Sequence, residues 1–268
     1  MADVALDLLI NIIAAIIFFI IGVFVTKAYT YFRLKRPLSK IMGSLADNRK
    51  TTVIAVPKLY SNTEDHKLKR LCDKNERINW PVTSPLFAEN DAEAMMYAYN
   101  ILLKCGKKVE TLKIKSDAEV TGDEREGDTL CIGAGSNAIT KDVLTTINPH
   151  ITFEQGVGRT PAGQPFKFFG SAIIDRKTKE RWTTSSTHDF GLIIRLKNPN
   201  NQDANVMILA GLGPIGTAAA GYYLSTHWKK IYDSVKNANG IDKNYAVLLK
   251  ADTADYTNIT PIKTSILS

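Results

Sequence analysis

The stretch that decides the fold is VMILAGLGPIGTAAAGYYL, from Val206 to Leu224. It begins with an uninterrupted apolar run, which is typical of a strand that is buried on both faces. Glycines follow directly, and the small residues after them favour a helix. Because glycine lets a backbone turn tightly, this order predicts a strand, a turn and a helix, the repeating unit of α/β proteins.

The same alternation extends to both sides of this stretch. Strand-like and helix-like segments alternate in the first half of the chain, which predicts a parallel sheet with helices on its faces. Residues 150–199 are different, because their strand-like segments are joined only by turns. We therefore expect an α/β fold with a Rossmann-like, mostly parallel sheet and an antiparallel β-hairpin insertion. The predicted strands outside the insertion lie at 51–60, 109–115, 129–135, 205–213 and 245–252, with helices at 89–108, 136–147 and 217–235.

The segment Leu8–Val25 contains no charged residue. A helix of about 20 apolar residues spans the hydrocarbon core of a bilayer. A cleaved signal peptide would have a basic start and a shorter apolar core, whereas Asp3 and Asp7 precede this one. The segment therefore predicts an uncleaved membrane anchor.

The residues after the anchor are strongly basic. Residues 1–25 carry a net charge of −2 and residues 26–50 carry +6, and basic flanks stay on the cytoplasmic side of a membrane. We expect the N-terminus outside the cell and the C-terminal domain in the cytoplasm. The predicted divisions are an anchor at 1–28, a basic juxtamembrane linker at 29–50 and an α/β ligand-binding domain at 51–268. Pro37 should interrupt any continuous helix in the linker.

Composition limits the function classes. The chain carries +7 overall, of which only +3 lies beyond residue 50, so direct DNA binding is not expected. Three cysteines without a C-x-x-C pair and four scattered histidines do not make a zinc site. We expect no metal and no cofactor, and the cysteine pattern indicates a reducing compartment.

Two glycine turns follow predicted strands, each with a helix behind it. Backbone N–H groups at a helix start, together with the helix dipole, favour an anion such as a phosphate. Both turns should lie at the same edge of the sheet, where open parallel sheets bind ligands. The alternative is that glycine and the capping residues serve only the turn. The candidate ligand-binding residues are Gly133, Gly135, Ser136 and Asn137 in the first turn, and Gly211, Gly213, Gly216 and Thr217 in the second.

Lys58 and Tyr60 follow the first predicted strand beyond the anchor. The lysine suits a phosphate and the tyrosine suits a base, although a solvated lysine and a packed tyrosine explain the pattern equally well. The second turn spells G-x-G-x-x-G but lacks the context of a dinucleotide fingerprint. Only one clear strand follows its helix, Asp252 lies beyond the expected position of the ribose-binding acid, and Pro214 removes one backbone donor.

No catalytic residue can be assigned from the sequence. His188 and Asp189 are adjacent, but neighbouring residues of a strand point to opposite faces. Cys131 lies in a predicted buried strand, where an inert thiol is expected. Glu154 is by default an exposed strand residue, and no nucleophile, kinase or metalloprotease motif occurs.

The anchor at Leu8–Val25 and the turns GAGSNAIT and GLGPIGTAAAG give a layout that resembles prokaryotic membrane-anchored effectors of nucleotide-signalled antiviral defence. These include the CARF-type sensors of type III CRISPR systems. The resemblance implies a Rossmann-like cytoplasmic domain that binds a nucleotide-type ligand, including cyclic oligonucleotides, and signals to its membrane helix.

Three functions are therefore open. The first is a sensor or effector whose partners are the lipid bilayer, a nucleotide-type ligand and further copies of itself, with Asn11 and Gly22 available for helix association. The second is a membrane-tethered enzyme that processes a nucleotide or nucleoside, which would gain support if Asp189 or Glu154 pointed into the glycine-lined cleft with a perturbed pKa. The third is a membrane-tethered scaffold without a small ligand, which predicts a filled, apolar site between the strands.

Overall fold

The computed structural model describes residues 2–57, 89–159 and 165–267. Strands and helices alternate within these ranges as the sequence predicts. The α-helices are α1 (Ala2–Thr30), α2 (Arg36–Met42), α3 (Glu89–Lys104), α4 (Gly122–Arg125), α5 (Ala138–Ile147), α6 (Pro214–Thr226) and α7 (Trp228–Asn237). The strands are β1 (Thr52–Val56), β2 (Leu112–Ser116), β3 (Asp128–Ile132), β4 (Ile151–Arg159), β5 (Pro165–Asp175), β6 (Arg181–Trp182), β7 (His188–Asn198), β8 (Asn201–Gly211), β9 (Asn244–Asp252) and β10 (Ile259–Leu267).

Seven of these strands form one mixed sheet in the order β10-β9-β7-β8-β3-β1-β2. Strands β2, β1, β3 and β8 are paired in parallel, and β9 runs in the same direction. We call the edge where the parallel strands end the carboxyl edge, and the edge where they begin the amino edge. The chain order reverses between β1 and β3, which is where doubly wound sheets leave a crevice.

Strand β7 lies in this sheet, antiparallel to both β8 and β9. The expectation that the strand-rich middle forms one separate insertion therefore holds only for β4, β5 and β6, which form a three-stranded antiparallel sheet of their own. A uniformly apolar strand such as β7 looks the same in sequence whichever way its neighbours run. The fold is thus α/β with a mostly parallel mixed sheet and a small second sheet.

Alternate residues of the main sheet enter two separate cores, as the pleat of a strand requires. In β8, Met207 and Leu209 face the core that contains α2, α3, α6 and α7. Val206, Ile208 and Ala210 face the core that contains α5 and the small sheet. The main sheet is therefore covered on both faces, which explains why its strands are continuously apolar.

Helix α1 is long and apolar enough to cross a bilayer, and its apolar window has a mean hydropathy of 2.4 with no buried residue. The helical backbone continues without interruption into α2 through a π-helical segment at Tyr31–Lys35. Pro37 lies in the first turn of α2 and does not break the helix, contrary to the sequence expectation. A π-helical segment and a proline are both common at bends in long helices. The orientation of α1 across a membrane stays a prediction.

The single helix predicted at 217–235 is divided into α6 and α7 at His227. The hydroxyl of Thr226 donates to the carbonyl of Tyr222, 2.7 Å away, a local bond that competes with regular helix geometry. The charged loop before β3 also contains the short helix α4, which Thr121 caps from its N-terminal side.

Candidate functional site

The two glycine turns lie side by side at the carboxyl edge. Strands β3 and β8 are parallel neighbours, and Ile132 is level with Leu209. Immediately after β3, the N–H of Gly133 donates to the carbonyl of Leu209, 2.8 Å away. The sequence expectation that both turns lie at one edge of one sheet is confirmed.

The second turn brings α6 unusually close to the sheet. The N–H of Gly211 donates to the hydroxyl of Thr217, 2.9 Å away. A Cβ atom on Gly211 would lie 2.4 Å from the backbone nitrogen of Thr217, and one on Gly216 would lie 2.2 Å from the carbonyl oxygen of Phe190. These two glycines are therefore required for packing, whatever else the turn does.

The carboxylate of Asp189 occupies the N-terminus of α6. It accepts the N–H of Gly216 at 2.7 Å, the N–H of Gly213 at 3.1 Å and its neighbour Phe190's N–H at 2.8 Å. Only 4% of Asp189 is exposed. Burial raises the pKa of this carboxyl, while the three N–H donors oppose that rise. The backbone N–H groups that we expected to bind a phosphate thus donate to the side chain of Asp189 in β7.

The first turn is organised around Asn137, which is fully buried. Its side-chain oxygen caps α5 by accepting the N–H of Thr140 at 3.1 Å. Its side-chain nitrogen donates to the carbonyls of Ala55 and Ile132, at 3.0 Å each. Asn137 therefore joins the ends of β1 and β3, the point at which a doubly wound sheet would leave its crevice.

A second carboxylate lies at the N-terminus of α5. Asp117, which follows β2 directly and is 6% exposed, accepts the N–H of Ala138 at 2.7 Å. Gly133 has a φ of +85°, a conformation that favours glycine. Gly135 is half-buried and Ser136 is exposed. The N-termini of α5 and α6 thus each already bind an internal carboxylate.

The structure brings together eight of the ten predicted ligand-binding residues at one edge. Lys58 and Tyr60 lie outside the described residues, so their prediction is untested. Sequence reasoning missed Asp117 altogether. It considered Asp189 as half of a histidine pair and as the cleft carboxylate of an enzyme, and did not predict its role at the N-terminus of α6. Local sequence patterns carried no signal for either contact, because each depends on which strand lies beside which helix.

The catalytic candidates do not converge on this edge as an active site. The Nδ1 atom of His188 lies 2.7 Å from the hydroxyl of Ser185, within a local turn. Glu154 belongs to the small sheet, where Arg181 and Ser171 hold its pKa below the ordinary value. Cys131 is buried, which raises the pKa of its thiol to about 12. The described part of the chain contains no group of three or more residues suited to bind a metal ion.

The opposite, amino edge holds the continuation of the apolar helix. Arg195 of β7 is 4% exposed and donates from both terminal nitrogens to four carbonyls. Two belong to α2, Lys40 at 2.5 Å and Ile41 at 3.1 Å. The other two precede β9, Ile241 at 2.7 Å and Lys243 at 2.5 Å. Burial lowers the pKa of Arg195, but a guanidinium stays charged in proteins.

Further side chains fix the same segment. The hydroxyl of Tyr245 donates to the carbonyl of Ile41 at 2.9 Å. Lys107, which is 3% exposed, donates to the carbonyls of Asp47 and Lys50 at 2.6 Å each. We call this assembly the junction, meaning residues 36–50 together with Arg195, Tyr245 and Lys107. It attaches the continuation of α1 rigidly to the sheet.

Comparison with known proteins gives no family for the chain. No protein-family model matches it, and no curated protein matches it.

Proposed function

We propose that the protein is a membrane-anchored sensor or effector whose α/β domain passes its ligand state to the membrane helix. The observation that carries this proposal is the junction. Four side chains of α2 and the turn after it are fully buried in the domain core: Leu38, Ile41, Met42 and Leu45. Because the helical backbone is continuous from α1 to α2, a movement of the sheet moves the membrane helix directly.

Strand β7 supplies a physical connection between the two edges. It carries Asp189 at the carboxyl edge and Arg195 at the amino edge. Arg195 lies six positions after Asp189, which corresponds to about 20 Å of extended strand. A ligand that displaced Asp189 from the N-terminus of α6 would thus act on the strand that holds α2.

For the ligand we propose a nucleotide-type compound, including cyclic oligonucleotides, at the carboxyl edge. The paired glycine turns and the strand order β2-β1-β3-β8 support this assignment and the Rossmann-like description of the domain. A phosphate there must compete with a carboxylate for the same N–H groups. We further propose a cytoplasmic location for the domain, from the basic flank, and an oligomer, because Asn11 and Gly22 of α1 are available for helix association.

Asp189 also bears on the enzyme alternative. A buried carboxyl with a raised pKa beside a glycine turn is a recognised feature of active sites. Here both carboxylate oxygens accept backbone N–H groups, which is the arrangement of a helix cap. Turnover of a bound nucleotide would favour the enzyme, whereas recovery of the intact nucleotide favours the sensor.

The experiment uses the full chain in lipid nanodiscs and measures thermal unfolding with NAD, ATP, and linear and cyclic oligonucleotides. A ligand at 100 times its dissociation constant stabilises the folded state by about 2.7 kcal/mol. We expect a ligand that stabilises the wild type to bind Asp189→Asn at least tenfold more tightly, because the competing charge is removed. Asp142→Asn, at an exposed ion pair, is the matched control.

The coupling between the ligand site and the membrane helix is measured separately, with the variant Gly22→Cys in α1. Disulfide cross-linking of this variant in membranes should change in yield when the stabilising ligand is added. If no compound stabilised either the wild type or Asp189→Asn, the ligand proposal would be wrong. The membrane-tethered scaffold without a small ligand would then be the function that the structure supports. If a ligand bound without any change in cross-linking, the coupling would be wrong.

A further inference from the structure

The junction contains a cleft of about 270 Å³. It lies at the amino edge of the sheet, whereas the glycine turns lie at the carboxyl edge. The cleft lies between the C-terminal end of α2, the end of β7, the first half of β8 and the turn before β9. Ser39 and Lys40 contribute from the helix, Lys197 from β7 and Asp242 from the turn. A volume at the lower limit of ligand sites indicates a small ligand rather than a large cofactor.

Positive charge dominates the lining of the cleft. Lys40, Arg195 and Lys197 face a single carboxylate, Asp242. Lys40 and Asp242 lie 3.4 Å apart with side chains 46% and 82% exposed, so their pairing contributes little. The Nη groups of Arg195 donate to backbone carbonyls and are not available to a ligand. The positive charge of Arg195 still makes the electrostatic potential in the cleft more positive.

The two lysines have capacity to bind an anion. Within the described residues, the ammonium of Lys197 makes no hydrogen bond or ion pair. The ammonium of Lys40 can leave its weak ion pair with Asp242 and bind an anion instead. Ser39 adds a hydroxyl donor beside them. A cleft lined by two lysines and a serine suits a phosphate or diphosphate group.

We propose that this cleft is a second binding site, for a small phosphate-class anion, distinct from the carboxyl edge. Phosphate can come from a soluble compound or from a lipid headgroup. Lys40 lies fifteen positions after Val25 along the helical backbone, about 22 Å, which exceeds the depth of a headgroup layer. The geometry therefore favours a soluble phosphate compound. An anion that bridges α2 and β7 would strengthen the junction, a regulatory role that rests on the proposed coupling.

The test measures binding of inorganic pyrophosphate to the full chain in detergent micelles by calorimetry, with sulfate at equal ionic strength as the screening control. We expect Lys197→Gln and Lys40→Gln each to weaken pyrophosphate binding at least tenfold. Lys250→Gln, an exposed lysine of β9, should change it less than twofold. Equal weakening in all three variants would show a general charge effect and overturn the site.

A second arm addresses the lipid source. The full chain is compared in nanodiscs of phosphatidylglycerol and of phosphatidylcholine. Thermal stabilisation by phosphatidylglycerol that Lys197→Gln removes, without pyrophosphate binding in micelles, would assign the site to a headgroup. Absence of both effects would overturn the proposal. Neither readout uses the Gly22→Cys cross-link, so the site and the coupling can fail independently.

Discussion

Replacement of Arg195 tests the junction most directly. Arg195→Met keeps most of the side-chain length and removes four charge-assisted hydrogen bonds. At about 1.5–3 kcal/mol each, these bonds sum to roughly 6–12 kcal/mol before any offset. Burial of the guanidinium offsets several kcal/mol of that sum. We expect a net loss of about 3–5 kcal/mol, a large part of the stability of a typical domain.

The assay is urea unfolding of the full chain in micelles, followed by tryptophan fluorescence. Arg181→Met is the matched control, because its ion pair with Glu154 is half-exposed and should contribute no more than about 1 kcal/mol. Hydrogen exchange at Leu38–Met42 should also accelerate in Arg195→Met, since α2 loses its attachment. A loss below about 1 kcal/mol with unchanged exchange would refute the assignment of the junction to Arg195.

Three further predictions concern packing, capping and pH. A Cβ on Gly221 would lie 2.8 Å from the Cα of Ala94, so Gly221→Ala should cost about 3 kcal/mol in thermal unfolding, whereas Gly122→Ala, with no atom within 4 Å, should not destabilise. Asp189→Asn should cost about 1–3 kcal/mol in urea unfolding, because three N–H groups lose a charged acceptor; an unchanged midpoint would contradict the capping role. Burial alone would raise the pKa of Asp175, but its lysine partner and backbone N–H donors together outweigh burial and lower the pKa to about 2. The contribution of Asp175 to the free energy of unfolding is therefore present above pH 4 and lost between pH 4 and 2. Asp175→Asn should flatten the dependence of the unfolding free energy on pH in that window.

Much of the fold follows from local patterns in the sequence. Buried strands such as β1 and β8 are continuous apolar runs, and the helix α3 begins with acids and ends before a glycine. Alternation of these elements places both glycine turns at one edge. Local patterns did not predict the position of β7, because its apolar run fits parallel and antiparallel neighbours equally.

The occupants of the two helix N-termini were beyond sequence reasoning for a different reason. Asp189 reaches Gly216 across 27 positions of chain, and Asp117 reaches Ala138 across 21. Such contacts depend on which strand lies beside which helix, a property of the sheet order. Arg195 did leave a signal, since a single charge inside the run GLIIRL indicates a buried cation with dedicated acceptors.

The junction also has a consequence for biosynthesis. Arg195 and Tyr245 bond to Ile41 from positions 154 and 204 residues later in the chain. At about 5–20 residues per second, the ribosome needs roughly 10–40 seconds to make the interval up to Tyr245. The apolar helix α1 thus leaves the ribosome well before the residues that hold α2 against the sheet have been made. In the membrane-anchored protein that we propose, insertion of α1 would therefore precede the folding step that attaches α2 to the sheet.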